Sequence, residues 1–106
     1  MNTQTITHHD ITFDRGEVEK FCKKNGIKKL SLFGSLLRDD FGQDSDIDML
    51  VEFMPGEIVG FFRLVGIEMD LTDFFNGRKV DLRTPGELSN YFRDRVIAES
   101  ETLYVR

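Results

Sequence analysis

The sequence predicts an α+β domain: a small mixed β-sheet with helices packed mainly on one face. Three observations lead there. Short apolar stretches with a period of two recur at 28–33, 46–53 and 79–83. Stretches with helical spacing and helix-end residues lie near 14–25, 61–75 and 93–99. The chain has 106 residues, 40% of them hydrophobic and ten of them Phe, which suits one domain with one core.

The first helix is predicted from its ends. Asp14 can cap it, Glu17 stands at the third helical position, and Phe13 can staple onto Val18. Lys23 and Lys24 fall in its last turn, and Gly26 suits the residue just past it. The segment 1–12 is polar and is expected to be frayed, so its adjacent His8 and His9 are not taken as metal ligands. In the strand 46–53, Ile47, Met49, Val51 and Phe53 point one way and Asp46, Asp48, Leu50 and Glu52 the other. Met54-Pro55-Gly56 ends it. The helix 61–75 is expected to bury Phe61, Leu64, Val65, Leu71, Phe74 and Phe75, with Gly77 closing it. Val80 and Leu82 share one face of the third strand and Asp81 takes the other. Thr84 and Pro85 predict a renewed helix start, and Leu103 to Val105 a short edge strand.

Composition narrows the function classes. Fourteen basic residues against nineteen acidic ones give a net charge of −5, which disfavours direct binding of nucleic acid through its phosphates. The lysines at positions 20, 23, 24, 28 and 29 read as a solvated face at a helix end. Cys22 is the only cysteine, so no intrachain disulfide or cysteine-based metal site is possible, and its amphipathic setting predicts a buried thiol. No apolar run has the length of a signal-peptide core or a membrane span, and a cytoplasmic protein is expected.

Chemistry concentrates between Leu32 and Phe53. Asp46 and Asp48 are two apart on a strand, with Cα atoms about 6.6 Å apart and both carboxylates leaving one face. Like charges that close destabilise a partly dry site unless a cation neutralises them. Asp81 offers a third carboxylate, and three oxygen donors suit a hard ion such as Mg²⁺ if the two strands are neighbours. Gly34-Ser35, at the end of a strand and before the helix-compatible Leu36-Leu37-Arg38, offers free N–H groups and a hydroxyl to a phosphate. Arg38 can add a charged fork. Other motifs fail on single positions. A calcium loop would need Gly where Met49 stands and an acid where Pro55 stands. No Gly-Lys-Ser/Thr follows Gly34, and a serine-hydrolase elbow would need Gly at Phe33 and Leu37.

Gly34-Ser35, ten intervening residues, then Asp46-Ile47-Asp48 resembles the signature of the polymerase-beta-type nucleotidyltransferase superfamily. Asp81, in Lys79-Val80-Asp81-Leu82, matches that superfamily's third carboxylate. The whole chain, 1–106, is similar to the minimal nucleotidyltransferases (MNT) of prokaryotes, which are encoded beside HEPN-type ribonuclease toxins and act as their antitoxins. The resemblance implies a single nucleotidyltransferase domain that transfers AMP from ATP to a tyrosine of a cognate HEPN toxin. It implies that Asp46 and Asp48 hold two Mg²⁺ ions, that Asp81 shares one, and that Gly34, Ser35 and Arg38 hold the outgoing pyrophosphate. Ser45 fits the family pattern as a residue that orders the loop. The chain departs from the pattern at Asp39, where many members carry Gly, and Asp40 follows it. These two charges oppose a triphosphate unless they point outward.

Two other readings use the same residues. A transferase for a small molecule is disfavoured because little chain remains after the core to shape an acceptor pocket. A module that blocks a toxin by contact alone is disfavoured by the intact metal and phosphate groups. Tyr91 and Phe92 are candidate partner contacts, with core packing the expected use.

Overall fold

The computed structural model describes residues 5–106. Strands β1 (Thr5–His8) and β2 (Ile11–Asp14) form an antiparallel hairpin, with Thr5 opposite Asp14 and His8 opposite Ile11. Helix α1 (Arg15–Lys24) leads to β3 (Ile27–Phe33), a 3₁₀ turn (Gly34–Leu37) and β4 (Ile47–Phe53). Helix α2 (Phe61–Phe74), β5 (Val80–Arg83), a second 3₁₀ turn (Pro85–Glu87), α3 (Asn90–Glu99) and β6 (Glu101–Val105) complete the chain. The main sheet runs β5-β4-β3-β6. β3 is antiparallel to both β4 and β6, and β5 is parallel to β4. The parallel pair requires a crossover, and α2 supplies it.

One face of this sheet makes the core. Leu30 and Leu32 of β3, Ile47, Met49 and Val51 of β4, and Val80 and Leu82 of β5 cluster there. Val18 and Cys22 of α1 and Ile67 and Leu71 of α2 cover them, while α3 contributes no buried residue. The mixed sheet with helices mainly on one face is therefore the one expected. Cys22 is fully buried, and burial pushes its thiol up to about 12, so it is inert packing. No helix among the described residues is long and apolar enough to cross a membrane.

The ends of α1 match their sequence signals. The Asp14 carboxylate accepts from the Glu17 N–H at 3.1 Å, and Gly26 follows the C-cap Asn25 with φ +68°. Elsewhere the fold departs from expectation. The segment expected to be frayed is, from Thr5, the β1–β2 hairpin; its first four residues lie outside those described. Tertiary packing recruits it, since Phe13 is fully buried against Phe75, ring centroids 4.8 Å apart, and Ile6 and Ile11 pack on the same cluster. Along α2 the core takes Ile67 and leaves Phe61 exposed, because the helix docks through its middle and C-terminal turns. Thr84 caps only a 3₁₀ turn and makes no side-chain cap bond. The helix that follows is capped by Ser89, whose hydroxyl accepts from the Tyr91 N–H at 3.2 Å. Tyr91 and Phe92 are exposed on α3, not packed in the core.

The Asp14 cap is open to a direct test. Asp14→Ala is expected to lower stability by about 1 kcal/mol. Urea unfolding should show a lower midpoint with an unchanged slope.

Candidate active site

β3 ends at Phe33, opposite Asp48 on β4, and the chain turns sharply at Gly34. Gly34 has φ +73°, and a Cβ there would collide with Oδ2 of Asp48. Both facts demand glycine. The closeness brings the Asp48 carboxylate under the influence of the Ser35 backbone N–H, which favours its charged form. On its other side Asp48 stands in register with Asp81 of the parallel neighbour β5. Asp46 lies one residue before β4, where the strand was expected to include it; the Ile47 N–H donates to the Lys79 carbonyl at 2.9 Å, and that pairing starts the strand. The β5 edge is held by α2, since the Val80 N–H donates to Thr72 Oγ1 at 3.1 Å and the Leu82 N–H to Glu68 Oε2 at 2.7 Å.

Asp48 is electrostatically uncomfortable. Burial first, then the facing Asp81 carboxylate, holds its carboxyl above the ordinary 3.8; the Ser35 N–H pulls it down, Asp46 pushes it up and the Arg83 guanidinium pulls it down. Asp46 and Asp81 turn to cations instead, Asp46 to Lys79 Nζ at 3.7 Å and Asp81 to Arg83 Nη2 at 3.3 Å. The side chains as placed therefore do not converge as expected from the sequence: among the described residues no three His, Cys, Asp or Glu groups gather closely enough to hold an ion. The donor chemistry still suits a hard divalent cation, because the set is carboxylate oxygen only and Asp48 repels Asp81 across the strand pair. Lys79 and Arg83 are well exposed and free to give way to it.

Around this centre the loop 38–46 is pinned from several directions. The Gly42 N–H donates to Ser45 Oγ at 3.0 Å and the Ser45 N–H to the Gly42 carbonyl at 3.1 Å. Asp39 and Asp40 are exposed, and Asp40 Oδ1 takes the Arg38 guanidinium at 3.4 Å. Both charges lie on the surface, as does Arg38 itself.

Sequence reasoning missed three residues here. Arg78 lies over the Phe41 ring, 4.7 Å from its centroid, and donates through Nη2 to the Gly42 carbonyl at 2.5 Å. Its Nε is buried without a partner among the described residues, so the stacked position is held against a polar cost. His9 stacks on the same ring at 5.0 Å and donates from Nε2 to the carbonyls of Leu36 and Arg38, at 3.1 and 2.8 Å. The signal available was Phe41, an aromatic residue inside a polar loop.

A family model described as a nucleotidyltransferase domain matches residues 16–105. The chain belongs to the nucleotidyltransferase domain family. As a nucleotidyltransferase it is 36% identical over 77 residues to a Methanocaldococcus jannaschii protein named "putative protein adenylyltransferase", covering 73% of this chain and 80% of that one. It is 30% identical over 74 residues to the protein adenylyltransferase MntA of Thermococcus cleftensis, covering 70% and 72%. Its fold matches a structure described as a tri-AMPylated Shewanella oneidensis HEPN toxin in complex with MNT antitoxin, with TM-score 0.61, 19% identity and coverage of 87% and 70%. The minimal nucleotidyltransferase fold expected from the sequence is the fold observed.

Two measurements probe the site of this nucleotidyltransferase. A carboxyl whose proton is held more tightly in the folded state favours folding below its ordinary pKa and costs stability as pH rises through its folded value. Asp48→Asn removes that cost, so the metal-free variant is expected to match or exceed the parent at neutral pH. The gain should vanish below pH 3.8, the ordinary carboxyl value. A markedly less stable variant would mean that the carboxylate is structural. For the stack, Arg78→Lys keeps the charge and loses the fork. Amide exchange at 41–45 is expected to quicken roughly tenfold while α1 stays protected.

Proposed function

We propose that this nucleotidyltransferase is an antitoxin that moves AMP from ATP to a tyrosine hydroxyl of a HEPN-type ribonuclease toxin and so neutralises it. One observation supports the chemistry: Asp48 is wedged between the Gly34-Ser35 turn and Asp81, so a turn suited to phosphate stands against a carboxylate pair. The names of the relatives, protein adenylyltransferases, and the AMPylated toxin bound to a protein of the same fold supply the direction of transfer and the acceptor class.

In this reading the backbone N–H groups at Gly34 and Ser35 and the Ser35 hydroxyl hold the β- and γ-phosphates. Arg38, exposed and only loosely paired with Asp40, swings to the same oxygens. Asp46, Asp48 and Asp81 would hold two Mg²⁺ ions, whose chemistry would be to lower the pKa of the acceptor hydroxyl and to neutralise the leaving pyrophosphate. The tyrosine oxygen attacks the α-phosphorus in line, the bond to pyrophosphate breaks, and Asp81 takes the tyrosine proton. Ser45 and the Arg78–Phe41–His9 stack keep the loop before Asp46 from drifting, which matters because small misplacements are costly in such displacements.

The test is incubation of a HEPN-type toxin with the protein, Mg²⁺ and labelled ATP, followed by mass analysis of the toxin. An AMP-sized increment on a tyrosine is expected, lost in Asp46→Asn. Ser35→Ala should reduce transfer by only about 10- to 100-fold, since a charged hydrogen bond contributes about 1.5–3 kcal/mol among several donors. Full neutralisation of the toxin with nucleotide and metal stripped away would decide for inhibition by contact alone.

A further inference from the structure

Helix α2 is apolar on more than its core side. Ile67 and Leu71 are buried, yet Phe61, Phe62 and Met69 are 73%, 88% and 64% exposed. A helix in a small domain that carries large apolar side chains beyond its packed face is marked for a partner. Phe61 and Val65, with Leu82 of β5, line a groove of about 410 Å³ that also takes in Asp81. Its charge is one-sided. Glu68, Asp81 and Glu87 line it against one guanidinium, Arg83, and that one is paired with Asp81. The Leu82 N–H fixes the Glu68 carboxylate at the groove.

We infer that this groove seats the acceptor polypeptide of the transfer reaction. The inference rests on the AMP-transfer reading and adds where the acceptor binds and what it presents. The groove and the reaction centre share Asp81, so a segment delivering a hydroxyl to that carboxylate also covers Phe61 and Val65. The phosphate corner at Gly34 and Ser35 lies on the other side of Asp48, leaving this groove to the acceptor. The acidic lining selects a segment that sets an apolar or aromatic side chain on the Phe61–Val65 floor and a Lys or Arg among the carboxylates.

The test compares the parent with Phe61→Ser and Glu87→Lys, two exposed positions outside the reaction centre whose replacement leaves the core intact. With the HEPN-type toxin, labelled ATP and Mg²⁺, both variants are expected to raise the acceptor KM roughly tenfold with kcat at saturating toxin kept. The melting shift produced by ATP analogue and Mg²⁺ should be unchanged. Transfer by both variants at the parent's KM overturns the proposal and leaves the AMP-transfer reading standing. Loss of the nucleotide-induced shift overturns it in favour of the nucleotide as occupant. A concentration-dependent dimer of the parent, absent in both variants by sedimentation, overturns it in favour of a second copy. A parent that transfers nothing refutes the AMP-transfer reading; toxin binding by calorimetry then decides the groove, weakened binding in the variants sustaining it and equal binding overturning it.

Discussion

The structure turns on the approach of one carboxylate to one glycine. Asp48 reaches across from β4 to the turn at Gly34, so closely that no side chain fits there. That contact sets the direction in which the chain leaves β3, since Gly34 must adopt φ +73°. It also fixes where the Gly34-Ser35 turn lies relative to the acidic strand. The Gly34-Ser35 turn and the strands carrying the carboxylates are thus one unit, joined by the Asp48 side chain.

The same contact explains the cost in Asp48. A carboxylate buried against the turn and facing Asp81 is held away from water beside a like charge. The fold tolerates this because the strands beneath are rigidly paired. β4 is central, bonded to β3 on one side and β5 on the other, and Ile47, Met49 and Val51 anchor its far face in the core. The β5 edge would otherwise be ragged, and Thr72 and Glu68 of α2 satisfy two of its N–H groups. Helix α2 therefore has three duties: it makes the parallel crossover, holds the edge carrying Asp81, and exposes an apolar face beside that residue.

The loop between the Gly34–Leu37 turn and Asp46 has no secondary structure of its own from Asp39 to Asp46. Its order is borrowed from distant parts of the chain. His9 comes from the tip of the hairpin, Arg78 from the segment before β5, and both stack on Phe41. The hairpin is thereby tied to the site as well as to the core, and His8 adds a 2.6 Å hydrogen bond to Glu101 at the start of β6.

By itself the sequence determined the features that depend on near neighbours. The Asp14 cap, the Gly26 stop, the period-two strands and the Gly34-Ser35 and Asp46–Asp48 spacing are local, because helix ends, pleats and tight turns are set within a few residues. The family and its fold followed from those motifs. Tertiary structure alone decided which carboxylate faces which. Asp48 meets Asp81 only because α2 returns the chain parallel to β4 in one particular register. It also decided that Ile67 and not Phe61 enters the core, and that 5–14 pairs into a hairpin. It brought Arg78, Phe41 and His9 together, residues 37 and 32 positions apart in the chain. Contacts at that separation depend on the packing of whole elements, and no local pattern of residue types encodes them.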